Sequence, residues 1–135
     1  MGQLNGKVAI ITGGGTGIGR GIGRAFTKAG AKLVLAARRK EHLDSAAEEM
    51  RAIGGDATVI PTDVTDEGQV ANLFEQTIST YGHLDILVNN SGVTMRKEPE
   101  DLSGDEWDHV LNVNLRACFL ASKTVYPHMR DRGSG

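Results

Sequence analysis

Short apolar runs alternate along this chain with longer stretches whose apolar residues recur every three or four positions. Val8-Ala9-Ile10-Ile11 is rich in β-formers and reads as a buried strand. Ile18, Ile22, Ala25, Phe26 and Ala29 follow at helical spacing. Lys32 to Ala37 predicts a second strand, and Leu43, Ala46, Ala47, Met50 and Ile53 a second helix stopped by Gly54-Gly55. Ala57 to Pro61 predicts a third strand. Val70, Leu73, Phe74, Thr77, Ile78 and Tyr81 mark a third helix, and Leu84 to Val88 a fourth strand. Ser103-Gly104-Asp105-Glu106 is a capping box that opens a last helix, expected to run to about Met129 with a distortion near Pro127. Its stripe of Trp107, Val110, Leu111, Asn114, Cys118, Ala121 and Val125 sets Asn114 on an apolar face, where a buried amide needs partners.

The order β-α-β-α-β-α-β-α predicts an α/β fold. Parallel strands need long right-handed crossovers, and helices supply them on both sheet faces. No Pro-rich or Ser-rich linker divides the chain, so residues 1–135 form one domain. Thr94 to Gly104 is polar and reads as an exposed loop. No run approaches the ~18 apolar residues that cross a membrane, and MGQLNGK lacks a secretory apolar block. A net charge of -2 makes no electrostatic case for nucleic acid. Cys118 is the one cysteine, which fits a reducing, cytoplasmic compartment. The four histidines show no metal-ligand spacing, so no metal site is expected.

Glycine changes the picture. It makes up 18 of 135 residues, about twice the usual share, and eight of the 18 lie between Gly13 and Gly30. The dense block Thr12-Gly13-Gly14-Gly15-Thr16-Gly17-Ile18-Gly19 falls where the first strand becomes the first helix. A helix N-terminus offers unpaired N–H groups and partial positive charge. Glycine lets a phosphate approach that backbone closely. The ordinary G-x-G-x-x-G fingerprint fails at every possible start. The spacing present is G-x-x-x-G-x-G, from Gly13, Gly17 and Gly19. A purely structural turn is the competing reading.

This T-G-x-x-x-G-I-G run resembles the signature of the short-chain dehydrogenase/reductase family, and three further matches follow in order. Asp63-Val64 resembles the family's adenine-contacting D-V pair. Asn89-Asn90-Ser91-Gly92 resembles its N-N-A-G, with Ser91 in place of alanine. Asn112-Val113-Asn114 resembles its N-V-N segment. The resemblance spans the chain and implies a Rossmann-type doubly wound parallel sheet of strand order 3-2-1-4. It also implies cofactor contacts from Gly13, Gly15, Thr16, Gly17, Ile18, Gly19, Asp63, Val64, Asn90, Ser91 and Gly92. NAD-selective enzymes place an acid after the second strand to hold the ribose 2′-hydroxyl. Here Ala37-Arg38-Arg39 stands instead, and no acid follows until Glu41. An arginine pairs bidentately with a 2′-phosphate. NADP(H) is therefore the expected cofactor, with Arg38 as main contact and Arg39 as helper. NAD is the alternative cofactor, and a solvated basic pair is the competing reading of the two arginines.

The family interconverts carbonyls and secondary alcohols, using Ser, Tyr, Lys and Asn while a nicotinamide carries hydride. Asn114 matches the Asn of its water-linked proton relay, or is simply a structural amide. The other three have no match. Tyr126-Pro127-His128-Met129-Arg130 imitates Y-x-x-x-K but precedes the place of the fifth strand, and Val113 stands where the Ser would fall. The resemblance thus implies the cofactor-binding half of an oxidoreductase, truncated before strand five and inactive alone. A small carbonyl or alcohol would be the substrate of the full-length parent. The bare fourth strand and the apolar residues Val113, Leu115, Phe119 and Leu120 predict a homo-oligomer or a complementary C-terminal half as partner. A non-catalytic, nucleotide-binding or self-associating module is the alternative. A methyltransferase-like domain would leave Asn89-Asn90-Ser91-Gly92 unexplained.

Overall fold

The computed structural model describes residues 2–135. Four parallel strands, β1 (Val8–Thr12), β2 (Lys32–Ala37), β3 (Asp56–Pro61) and β4 (Ile86–Val88), form one sheet in the order β3-β2-β1-β4. Helices α1 (Gly17–Lys28), α2 (Lys40–Ala52) and α3 (Glu67–Tyr81) make the crossovers. After β4 come a 3-10 turn (Pro99–Asp101), α4 (Gly104–Leu111), a π-helical turn (Asn112–Arg116) and α5 (Ala117–Arg132).

The two-residue alternation of β1 divides the core. Ala9 and Ile11 pack with Leu33, Leu35 and the α2 face of Leu43, Ala46, Ala47 and Met50. Val8 and Ile10 face the other way, onto Leu73 of α3 and Val125 of α5. Burial on both faces explains why these strands read as unbroken apolar runs.

The fully buried residues of α1 are Gly19, Gly23 and Thr27, and Ile22 and Phe26 pack half-buried beside them. A Cβ on Gly23 would lie 3.2 Å from the Met50 methyl and 3.6 Å from a Leu33 methyl. The mid-helix glycine therefore permits close packing of α1 on the sheet. Ile18, counted in the apolar stripe, is 77% exposed at the mouth of the glycine turn.

Two predicted elements differ from expectation. The fourth strand begins at Ile86 rather than Leu84. Asp85 N–H still donates to Val8 O at 3.0 Å, but the Asp85 carboxylate accepts from Val8 N–H at 2.9 Å and Leu84 N–H donates to His128 Nε2 at 3.1 Å, so side chains take over part of the pairing there. The capping box forms as read: Ser103 Oγ accepts from Glu106 N–H and Glu106 Oε1 from Ser103 N–H, both at 3.1 Å. The helix it opens, however, is interrupted by the π turn at Asn112–Arg116, while α5 runs through Pro127 to Gly133.

That turn inserts one residue and rotates the stripe. Val113, Ala117, Leu120, Ala121 and Val125 are buried, whereas Trp107, Leu111 and Asn114 face solvent. Asn114 thus lies on an exposed face, not a buried one. Its partners are backbone: Oδ1 accepts from Val93 N–H at 2.7 Å and Nδ2 donates to Val93 O at 2.8 Å.

Candidate functional site

The carboxyl ends of β1, β2, β3 and β4 open on one edge of the sheet, where strand order reverses between β1 and β4. The turn from β1 to α1 occupies that edge. Gly13 (φ +64°) and Gly17 (φ +52°) both hold left-handed backbone that disfavours any side chain. Between them a Cβ on Gly15 would come within 3.1 Å of His42, so this turn lies against the first turn of α2. A Cβ on Gly19 would run into the Gly13 carbonyl oxygen and come within 2.5 Å of Asn90 Nδ2. Each glycine of the G-x-x-x-G-x-G spacing therefore has its own steric reason.

Thr12 ties this turn to the loop after β4. Its hydroxyl donates to Val88 O at 3.3 Å and accepts from the N–H groups of Asn90 at 3.0 Å and Ser91 at 3.1 Å. Asn90 Nδ2 returns the contact, donating to Thr12 O and Gly13 O at 3.2 Å each. The Asn90 side chain thus braces the turn from beneath, and Ser91 and Gly92 border the opening above. Gly92 in turn sits close to the Asn114 amide, where an added Cβ would stand 3.3 Å from Asn114 Oδ1.

Two adjoining clefts flank the turn. One of about 310 Å³ is lined by Gly13, Arg38, Asp63, Val64, Ser91, Gly92, His109 and Val113, among others. The second, about 370 Å³, is bounded by Gly15, Thr16, Arg38, Arg39 and His42. Together they are large enough for a small organic ligand. Thr16 stands at the N-cap of α1 with no side-chain hydrogen bond, and the first turn holds no acid. Its leading N–H groups have no side-chain partner, as a phosphate cradle requires.

Asp63 faces the first cleft. Thr65 donates to its Oδ1 through both its hydroxyl, at 2.6 Å, and its N–H, at 2.9 Å. Those bonds, helped by the positive charge of Arg38 and His109, outweigh burial and hold the carboxyl below the usual aspartate range. It stays an ionised acceptor. Arg38 and Arg39 make no hydrogen bond or ion pair among the described residues.

The structure therefore brings the glycine turn, Arg38, Arg39, Asp63, Val64, Asn90, Ser91 and Gly92 to one edge, with Asn114 alongside. Sequence reasoning missed Thr12, His42 and His109. Thr12 carried a signal, being a hydroxyl that ends a buried strand and needs partners. The two histidines had none, because neighbours distant in sequence place them. Tyr126 lies elsewhere, 61% exposed beside a groove of about 360 Å³ along β4, with Arg130 5.9 Å from its ring centre. Among the described residues no three metal-ligating side chains cluster.

A 3-2-1-4 parallel sheet, a glycine turn leading to an uncapped helix, and clefts at the strands' carboxyl ends define a cofactor-binding Rossmann fold. The chain belongs to the short chain dehydrogenase family, which it matches over residues 7–135. It is 39% identical over 133 residues to an uncharacterized oxidoreductase of Thermotoga maritima, covering 98% of this chain and 52% of that one. Its fold is similar to that of 3-ketoacyl-(acyl-carrier-protein) reductase from Brucella melitensis complexed with NADH. That likeness has a TM-score of 0.91 at 36% identity, over 97% of this chain and 53% of the other. It is similar too to a metagenomic short-chain oxidoreductase in complex with NADP, with TM-score 0.93 and 34% identity, over 98% and 60%. The chain spans about half the length of the relatives it matches.

Proposed function

We propose that this chain is the NADP(H)-binding half of an oxidoreductase that interconverts a carbonyl and a secondary alcohol. These 135 residues bind the dinucleotide but give little or no turnover by themselves. The observation that carries the cofactor reading is the uncommitted pair Arg38 and Arg39 beyond β2, at a point where an NAD-selective site would hold an acid.

The residues divide the work. The N–H groups at Gly15 to Gly19, with Thr16, hold the pyrophosphate at the start of α1, and Ile18 covers it from the solvent side. Arg38 clamps the 2′-phosphate as a planar fork, and Arg39 assists. Asp63 keeps Oδ2 clear of Thr65 and accepts from the adenine amino group, beside Val64. Gly13, Asn90, Ser91 and Gly92 shape the floor beneath the nicotinamide ribose. When bound, the nicotinamide supplies or takes up the hydride. Asn114 spends both ends of its amide on Val93, so its contribution to a proton relay is its backbone carbonyl, within the π turn.

Among the described residues no helix is long and apolar enough to cross a membrane. The lone Cys118 supports a cytoplasmic setting. A second reading, a self-associating module or one that takes up a complementary half, is favoured by the groove along β4 and by exposed Leu115, Phe119 and Tyr126. Light scattering would answer that reading, since a monodisperse monomer argues against it. Calorimetry with NADPH, NADH and S-adenosylmethionine tests the first. NADPH should bind at least about tenfold tighter than NADH. Binding of S-adenosylmethionine alone, or brisk carbonyl reduction by these residues alone, would overturn it.

A further inference from the structure

Several cations on the first two helices are held within the fold. Arg20 and Arg24 are paired with Glu49, Lys40 with Asp44 at 2.7 Å, and Arg51 with the Ala57 carbonyl. Arg38, Arg39 and His42 have no hydrogen-bond or ion-pair partner among the described residues, and all three line the same cleft beside Gly15 and Thr16. Three basic side chains line this cleft and no acid is among its lining residues, which suits an anion.

The backbone of His42 is set against the glycine turn. A Cβ on Gly15 would lie 3.1 Å from both the His42 carbonyl carbon and its Cβ, so the α2 backbone at His42 is in contact with the glycine turn. Arg20 of α1 holds α2 from the other side, through Glu49 at 2.6 Å and the Ser45 hydroxyl at 3.3 Å. The backbone and Cβ of His42 therefore keep a set distance from the turn, with the exposed ring free to turn into the cleft.

We propose that His42 is a third member of the 2′-phosphate subsite and a determinant of NADP(H) preference, donating from its ring to a phosphate oxygen opposite Arg38. The inference rests on the NADP(H) reading given above. The charged groups around His42 are Arg38 and Arg39 across the cleft, and Glu41 and the Lys40–Asp44 pair on its own helix. The glycine turn packed against it brings only backbone.

The test is calorimetric titration of NADPH and NADH into the wild-type protein, His42→Gln and His42→Arg. One charge-assisted bond at an open site corresponds to about three- to tenfold in affinity. His42→Gln should lose about that factor for NADPH and leave NADH unchanged. His42→Arg should bind NADPH at least as tightly as wild type. Unchanged NADPH binding by His42→Gln would overturn the role of His42 while leaving the Arg38 reading intact. So would an equal loss for NADH, which would mark a structural effect. Wild-type protein that does not prefer NADPH would overturn the Arg38 reading and this inference together.

Discussion

Two glycines one half-turn apart on α1 should respond oppositely to alanine. Gly21 has open space where a Cβ would stand, and its backbone is ordinary helix. Gly21→Ala should stabilise by about 0.5–1 kcal/mol, because alanine loses less backbone entropy on entering a helix. Gly19 gains the same propensity but meets the Gly13 carbonyl oxygen and the Asn90 amide. Overpacking of this kind costs about 1–3 kcal/mol. Pushing Asn90 aside also breaks its bonds to Thr12 O and Gly13 O, at about 1 kcal/mol each. Gly19→Ala should therefore destabilise by about 2–4 kcal/mol. A chain of 135 residues shifts its melting temperature by about 3–4 °C per kcal/mol. Thermal unfolding by circular dichroism should show Gly21→Ala raised by about 3 °C and Gly19→Ala lowered by about 7–14 °C, with NADPH binding lost only in the second. Equal melting temperatures, or intact binding in Gly19→Ala, would refute the steric account of the phosphate turn.

Other outcomes follow from the opposite end of the sheet and from the cap of α4. Burial pushes the Asp85 carboxyl up, but Val8 N–H, Arg132 at 3.2 Å and the neighbouring His83 outweigh it and hold the group below the usual aspartate range. A lowered carboxyl contributes stability that is present above its unfolded value and lost as pH falls through the folded one. Acid titration should thus weaken the wild type below about pH 4, and Asp85→Asn should cost about 2–3 kcal/mol at pH 7 while flattening that acid limb; urea melts across pH 3–7 check both. Ser103→Ala removes one half of the capping box and should cost about 1 kcal/mol in the same melts, without altering nucleotide affinity. Asn114→Ala leaves both backbone groups of Val93 without their partner and should raise amide exchange at Val93 and Thr94, readable by hydrogen–deuterium exchange, with global stability little changed.

The strands and the first three helices were legible because both sheet faces are buried, so β1 and β2 are continuous apolar runs and the helices carry single stripes. The glycine turn was legible because its spacing is set by local sterics, visible in Gly13, Gly17 and Gly19 alone. The break at Asn112–Arg116 was not. It depends on Asn114 reaching Val93, 21 residues away, and one inserted residue then moves Trp107 and Leu111 to the exposed side. Pro127 looked like the weak point, yet α5 continues through it and closes on Gly133 at φ +68°. His42 and His109 escaped notice for the same reason as that break: what makes each notable is a cleft wall contributed by another element.

The central claim is that the edge holding the glycine turn takes up a nicotinamide dinucleotide. Amide NMR of the 135-residue chain during an NADPH titration tests it residue by residue. The account predicts saturable shifts at Gly15, Thr16, Ile18, Gly19, Arg38, Arg39, Val64 and Gly92, with Tyr126 and Met129 on α5 unmoved. Shifts confined to the groove along β4, or none at saturating NADPH, would contradict it.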